Sequence, residues 1–424
     1  MRLWENIKSS TLVREAATLV SGNVLAQAVS MLAYLVLTRI FSPSDYALFN
    51  IFYSYIEVFI ILSTCKYEGA VIVARDDAEV AAISKFAMRL NTMVSLLLLT
   101  IAAVLYFTGS LPGAFSDLGA IVLLIPPMVF FSGTSRVYTA LFNRMHHYKL
   151  IAASENTNAI AGFALKALFG LLGMNRVGLP LGAVLGQASA NALYRIRLRK
   201  VVLPRPAHSE QLAAARKYRN FPLFVASRDF VNSLSASLPF LWLALYFDRA
   251  DVGLFGLAFT MVFRPVNMLN NAFERVLYAR TAESVRCRQR ISPVISRFLS
   301  LINLFAIPVC LVGWFVAEPL FTFLFGDEWN GSGIYVQALL PLILFSLNAA
   351  PLSFLSNVFS TQRTEFAFYL GLLLLRVAAI AAGIHAGSFL LAIRLYAAAG
   401  ALVSVSLLVW YLWQVRRYER TLTN

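Results

Sequence analysis

Charge is scarce in this chain. Asp, Glu, Lys and Arg make up 13% of its 424 residues, against about a quarter in ordinary soluble domains. Cysteine and histidine are scarcer still, at 3 and 4 residues. Cys65, Cys287 and Cys310 lie far apart with no CxxC or Cys/His cluster, which excludes a disulfide framework and a zinc site. His146 and His147 fall in a short turn and His385 near a surface, where they read as solvated. No phosphate-binding glycine loop, nucleophile–base pair or metal-ligand cluster occurs, so no ATP site, cofactor or catalytic metal is expected. Acidic residues number 21 against 36 basic, a net charge of +15. The basic excess sits in two stretches that flank apolar runs, Arg195–Arg219 and Arg275–Arg297, the latter with Arg280, Arg286, Arg288 and Arg290. With no nucleic-acid-binding fold around them, these clusters set topology and meet anionic lipid; nucleic acid is not a partner.

Apolar residues fill the rest. They are 59% of the chain and the mean hydropathy is +0.70, which excludes an ordinary soluble protein. Runs of about 20 apolar residues, each able to cross a hydrocarbon core of about 30 Å as helix, follow one another with short breaks. The alternation of a membrane barrel is missing. The pattern predicts an all-α polytopic membrane protein with twelve spans: 17–38, 46–72, 86–107, 118–142, 150–173, 178–198, 222–247, 252–279, 298–317, 334–360, 366–386 and 388–413. Most Lys and Arg fall on the side holding both termini, with Arg39, Arg176 and Arg249 opposite, which puts both termini in the cytoplasm. The first run is a full span without a small-residue cleavage site, so it is expected to remain in the mature protein.

The two halves of the chain repeat one plan. Phe41-Ser-Pro-Ser-Asp45-Tyr-Ala-Leu48-Phe49 matches Phe247-Asp-Arg-Ala-Asp251-Val-Gly-Leu254-Phe255, with 251 − 45 = 206, and Glu68 then falls on Glu274. Asn91 matches Asn303, with 303 − 91 = 212, and Pro127 matches Pro341 at a similar spacing. An even number of spans per copy makes this a parallel repeat about an axis along the membrane normal. The expected organisation is an N-terminal lobe over 1–200, a cytoplasmic linker over 201–219 and a C-terminal lobe over 220–424.

Polar residues recur at helical spacing inside four of the spans. Thr260, Arg264, Asn267, Asn271 and Glu274 form one stripe, and Asn23, Gln27, Ser30 and Tyr34 another. Arg228, Asn232 and Ser235 are the counterpart of the latter, with 228 − 23 = 205; Asn50, Tyr53, Glu57, Thr64 and Glu68 share a face of the second span. An ionisable group near mid-bilayer costs roughly 2.5–3.5 kcal/mol on insertion scales, so such stripes are expected to enclose an aqueous cavity between the lobes. Ser30, Ser235 and Thr260 fit helix–helix packing equally well. Lys66 and Arg136 could instead snorkel to the surface, and Asp229 could pair with Arg228.

The segment from Gly22-Asn23 to Arg39-Ile-Phe-Ser-Pro-Ser-Asp45-Tyr-Ala-Leu-Phe49, the six-plus-six repeat and the second copy Asp251-Val-Gly-Leu-Phe255 resemble the polysaccharide flippases of the multidrug/oligosaccharidyl-lipid/polysaccharide exporter superfamily, especially bacterial O-antigen (Wzx-type) translocases. The resemblance implies two six-helix lobes, with spans 1, 2, 7 and 8 lining a central cavity. It implies an undecaprenyl-pyrophosphate-linked oligosaccharide as substrate, in a bacterial cytoplasmic (inner) membrane. Arg264 stands where related flippases place a basic residue for the pyrophosphate, with Arg228 and Lys66 as further carry-overs. The first span lacks the mid-membrane arginines of lipid II flippases, which disfavours that substrate. Membrane lipids, and polymerase and glycosyltransferases of the same pathway, are the other expected partners.

The chemistry agrees with the resemblance. Guanidinium groups offer a pyrophosphate charge-assisted bonds, and Tyr53, Asn232 and Asn267 offer the ring faces and amides that sugars use. Moving two negative charges outward under about 100 mV gains roughly 4.6 kcal/mol, at about 2.3 kcal/mol per charge. Glu57, Glu68 and Glu274 are the candidates for proton or sodium coupling. The alternatives are a multidrug exporter of the same superfamily, which would favour acidic groups, and a polysaccharide polymerase or ligase, which would need a larger external loop than the one near Glu318–Gly333. The expectation is therefore a transporter with no catalytic residues.

Overall fold

The computed structural model describes residues 27–113, 115–199, 204 and 206–423. Among these residues every regular element is helical. The first eight helices are α1 Gln27–Leu37, α2 Pro43–Thr64, α3 Tyr67–Val73, α4 Asp77–Phe107, α5 Phe115–Arg144, α6 Tyr148–Leu171, α7 Asn175–Leu198 and α8 His208–Lys217. Then follow α9 Ser227–Trp242, α10 Arg249–Arg286, α11 Ser292–Phe325, α12 Ser332–Val358, α13 Gln362–His385 and α14 Phe389–Thr423.

Among the described residues, eight helices are long and apolar enough to cross a membrane: α2, α4, α5 and α10 to α14. The remaining predicted spans fall on helix too, but with different composition. α6 carries Lys149, Glu155, Asn156, Asn158 and Lys166; α7 carries Gln187, Asn191 and Arg195; α9 is 16 residues long and follows a π-helical turn, Phe221–Ala226. Of the first span only the part from Gln27 lies within the described residues.

Local chemistry places the helix starts. Ser42 and Asp45 close a capping box around Pro43, which suits the first helical position of α2 because it has no N–H to satisfy. Asp248 caps α10 by accepting from the Ala250 amide at 3.0 Å. Asp45 and Asp251 occupy the same third position of their helices, as the repeat requires. A second repeated device lies in the core of each half. Asn91 on α4 donates to the Phe130 carbonyl and to Thr134 on α5, at 2.9 and 3.2 Å. Its counterpart Asn303 on α11 exchanges amide bonds with Asn348 on α12, at 2.7 and 3.0 Å.

Contacts divide the chain into two compact units, the first ending at Ser233 and the second running Leu234–Asn424. The expected linker is not bare. Within it α8 packs on α4, Tyr67 donates to the Ala215 carbonyl at 3.2 Å, and Lys217 and Tyr218 both bind Glu79. The division therefore falls later, inside α9. In the first unit α6 and α7 pack most closely, because Gly162 and Gly186 meet: a Cβ on Gly186 would lie 2.6 Å from the Gly162 Cα. Burial sorts the helices of the second unit. In its most apolar window α12 is 67% buried and α11 only 11%, with Phe305, Phe315 and Phe323 of α11 exposed. Such faces suit lipid tails as their solvent.

Candidate functional site

The expectation of one uninterrupted helix over 46–72 fails at Cys65 and Lys66. Both have left-handed backbones, φ 46° and 59°, so α2 ends and the chain restarts as α3. A non-glycine residue held there costs on the order of 1–3 kcal/mol, and two in succession mark a break that the surrounding packing must enforce. Such breaks in membrane helices are tolerated where they line a polar cavity.

A pocket of about 550 Å³ opens beside this break, inside the roughly 300–1,000 Å³ range of small-molecule sites. The break and α3 contribute Lys66, Glu68, Gly69 and Ile72; α5 contributes Ser135, Arg136, Thr139 and Asn143; α6 and α7 contribute Ser154, Glu155, Asn158, Gln187 and Tyr194. Its wall is a relay of hydrogen bonds. Asn158 donates to Gln187 at 2.8 Å, Gln187 to Ser135 at 2.6 Å, and Ser135 to Asn191 at 3.1 Å, while the Asn191 amide ends on the Phe131 carbonyl at 2.7 Å. The Thr139 and Tyr194 hydroxyls pair at 3.0 Å. Fixed amides and hydroxyls of this kind can bind a neutral, hydroxyl-rich ligand.

Three cations stand at or beside this pocket. Arg136 is 4.0 Å from Glu68, a loose ion pair, and the other Glu68 oxygen is buried with no hydrogen-bond partner among the described residues. Lys66 holds Asp229 on α9 at 2.8 Å, and Arg228 reaches the other Asp229 oxygen through two nitrogens, each at 3.2 Å. All of these groups are half-buried.

Of the residues singled out in the sequence, Lys66, Glu68 and Arg228 therefore come together in the first unit. Tyr53 is half-buried, edge-on to Phe49 and Phe52 with centroids 4.9 and 5.9 Å away. Gln27 is half-buried, its Oε1 without a hydrogen-bond partner among the described residues. Glu57 and Asn232 are exposed, and Asn23 lies outside the described residues. In the second unit Arg264 is half-buried in the middle of α10, next to Pro265, and Asn267 and Asn271 on the same helix are exposed. Glu274 accepts from Ser353 at 3.0 Å. Ser235, one of the striped residues, is fully buried and accepts from Arg376 at 3.1 Å, so it serves packing within the second unit.

Sequence reasoning missed the α6 and α7 wall of the pocket. The signal was there: Glu155, Asn156 and Asn158 crowd one predicted span, and Gln187 and Asn191 stand four residues apart in the next.

The polysaccharide biosynthesis protein family matches residues 36–333. The chain belongs to this family. It is 23% identical over 336 residues to the teichuronic acid biosynthesis protein TuaB of Bacillus subtilis (strain 168), covering 78% of this chain and 68% of that one. It is 22% identical over 297 residues to the succinoglycan biosynthesis transport protein ExoT of Rhizobium meliloti (strain 1021), covering 69% of this chain and 58% of that one. Among solved structures it is similar to the lipid II flippase MurJ in an inward closed conformation, with a TM-score of 0.73 at 11% identity over 96% of this chain and 90% of that one. The fold of this family member is thus the two-lobe helical fold of the exporter superfamily.

Proposed function

We propose that this protein is a flippase that moves an undecaprenyl-diphosphate-linked oligosaccharide, a polysaccharide repeat unit, from the inner to the outer leaflet of the cytoplasmic membrane by alternating access. The observation that carries the reading is the first unit's pocket, whose amide- and hydroxyl-lined wall is joined to Lys66 and Arg136 inside an otherwise apolar helical body. Sugars need paired donors and acceptors, a diphosphate needs cations, and the lipid tail needs neither, so only the headgroup has to leave water. Arg264 in the second unit is a further candidate contact for the diphosphate. Both termini face the cytoplasm in this reading, because the basic loops do. The external loop that a polymerase would use is short: α11 ends at Phe325 and α12 begins at Ser332.

The test is surface polysaccharide, by gel and immunoblot, in a deletion strain complemented at matched expression with wild type, Lys66→Gln, Arg136→Gln or Arg264→Ala. Loss in the deletion, rescue by wild type and failure of the variants are expected. Full rescue by all three variants would remove the anion site, and normal polymer in the deletion would remove the function. Coupling to protons or sodium through Glu57, Glu68 or Glu274 predicts that at least one Glu→Gln variant changes the ion dependence of transport.

A further inference from the structure

In a site built for an anion, the empty protein must neutralise its cations by other means. Two features of the first unit bear on how this chain does so. Lys66 is presented by consecutive left-handed residues and lines the 550 Å³ pocket, yet its ammonium is held by a carboxylate of another helix, Asp229 on α9, at 2.8 Å. The same carboxylate holds Arg228, and this second contact has poor geometry. Neighbours in a helix do not face each other, and both guanidinium nitrogens converge on a single oxygen at 3.2 Å. A well-formed charge-assisted pair has two parallel bonds of about 2.7–2.9 Å. Asp229 therefore spans two cations, one closely and one loosely, at a half-buried position.

We infer that Asp229 is a resident stand-in for the substrate's diphosphate: it occupies Lys66 and Arg228 in the empty protein, is displaced when a diphosphate binds, and returns to speed release. The inference rests on the proposed lipid-diphosphate substrate and adds a role to a residue that makes no favourable contact with it. Two phosphate groups can take both cations with better geometry than one carboxylate. Asp229 would nevertheless compete with them, keeping the affinity low enough for turnover. A carboxylate that served only to hold α9 against the break would not compete with the ligand.

The probe is farnesyl diphosphate, with farnesol as the control for the apolar tail, bound to the purified full-length protein in detergent. Wild type is expected to bind the diphosphate more tightly than farnesol. Lys66→Gln should weaken diphosphate binding about fivefold or more, and Asp229→Asn should tighten it about fivefold, the scale of one partly screened charge contact. In the Lys66→Gln background Asp229→Asn should tighten binding by less than it does in wild type, because only the loosely held Arg228 is left for the carboxylate to release. Asp229→Glu, which keeps the charge, should stay near wild type, and Asp229→Ser serves if the Asn variant does not elute as a single folded species. Unchanged or weaker binding by a folded, uncharged Asp229 variant would overturn the stand-in role while leaving the flippase reading intact. Equal binding of diphosphate and farnesol by wild type would overturn both.

Discussion

Arg376 on α13 is buried, its guanidinium donating to Ser235 and lying over the Tyr396 ring at 4.1 Å. A charge in that position depends on each bond it keeps. Ser235→Ala is therefore expected to cost about 1–3 kcal/mol, read as a lower unfolding temperature in detergent, because one guanidinium donor is left without its acceptor. An unchanged melting temperature would mean that Arg376 finds another partner. The sequence showed Ser235 only as a member of a polar stripe. Its partner is 141 residues away, and spacing along one helix carries no information about a contact of that range. Asp229 is similar: pairing with Arg228 was foreseeable from adjacency, while the closer contact with Lys66 depends on a backbone break with no glycine or proline to announce it.

At the scale of the element, α8 is strapped to the start of α4. The Lys217 ammonium, bonded to Glu79, holds that carboxyl at about 2 against an ordinary 4.5, helped by the Arg75 amide and Tyr218 and opposed by partial burial. A carboxyl depressed in the folded state stabilises it above the ordinary value and loses that contribution as pH falls through about 2. Hydrogen exchange across residues 208–217, corrected for intrinsic rates, is expected to rise as pH drops from about 4.5 to about 2. Glu79→Gln should show the faster exchange at neutral pH, and equal protection in both proteins would contradict the strap. The α6–α7 contact gives a second check. Gly186→Ala brings a Cβ to 2.6 Å from the Gly162 backbone, and overpacking of this kind typically costs about 1–3 kcal/mol, measurable in the same melting assay. Helix positions were largely legible from the apolar runs. The break at Cys65 and the π-helical turn at Phe221–Ala226 were not, since tertiary packing rather than local propensity holds them.

For the whole molecule, the internal repeat was the most informative reading, because it needs no knowledge of contacts. The paired aspartates at the starts of α2 and α10, and the Asn91 and Asn303 links between neighbouring helices, now give it physical content within each unit. The pocket was only half legible. Its charged rim at Lys66 and Glu68 stood out against the apolar background, whereas the α6–α7 wall, Glu155 apart, is made of neutral residues that sequence alone assigns equally well to packing. The most direct test of the central claim is the leaflet distribution of the radiolabelled lipid-linked repeat unit in cells depleted of this protein, read by its accessibility to a hydrolase added on the outer side of the cytoplasmic membrane. A flippase predicts that the labelled lipid accumulates out of the hydrolase's reach and becomes accessible again when the wild-type protein, but not Lys66→Gln, is restored. Labelled lipid as accessible as in undepleted cells, with polymer lost, would contradict the account and point to a step on the outer face.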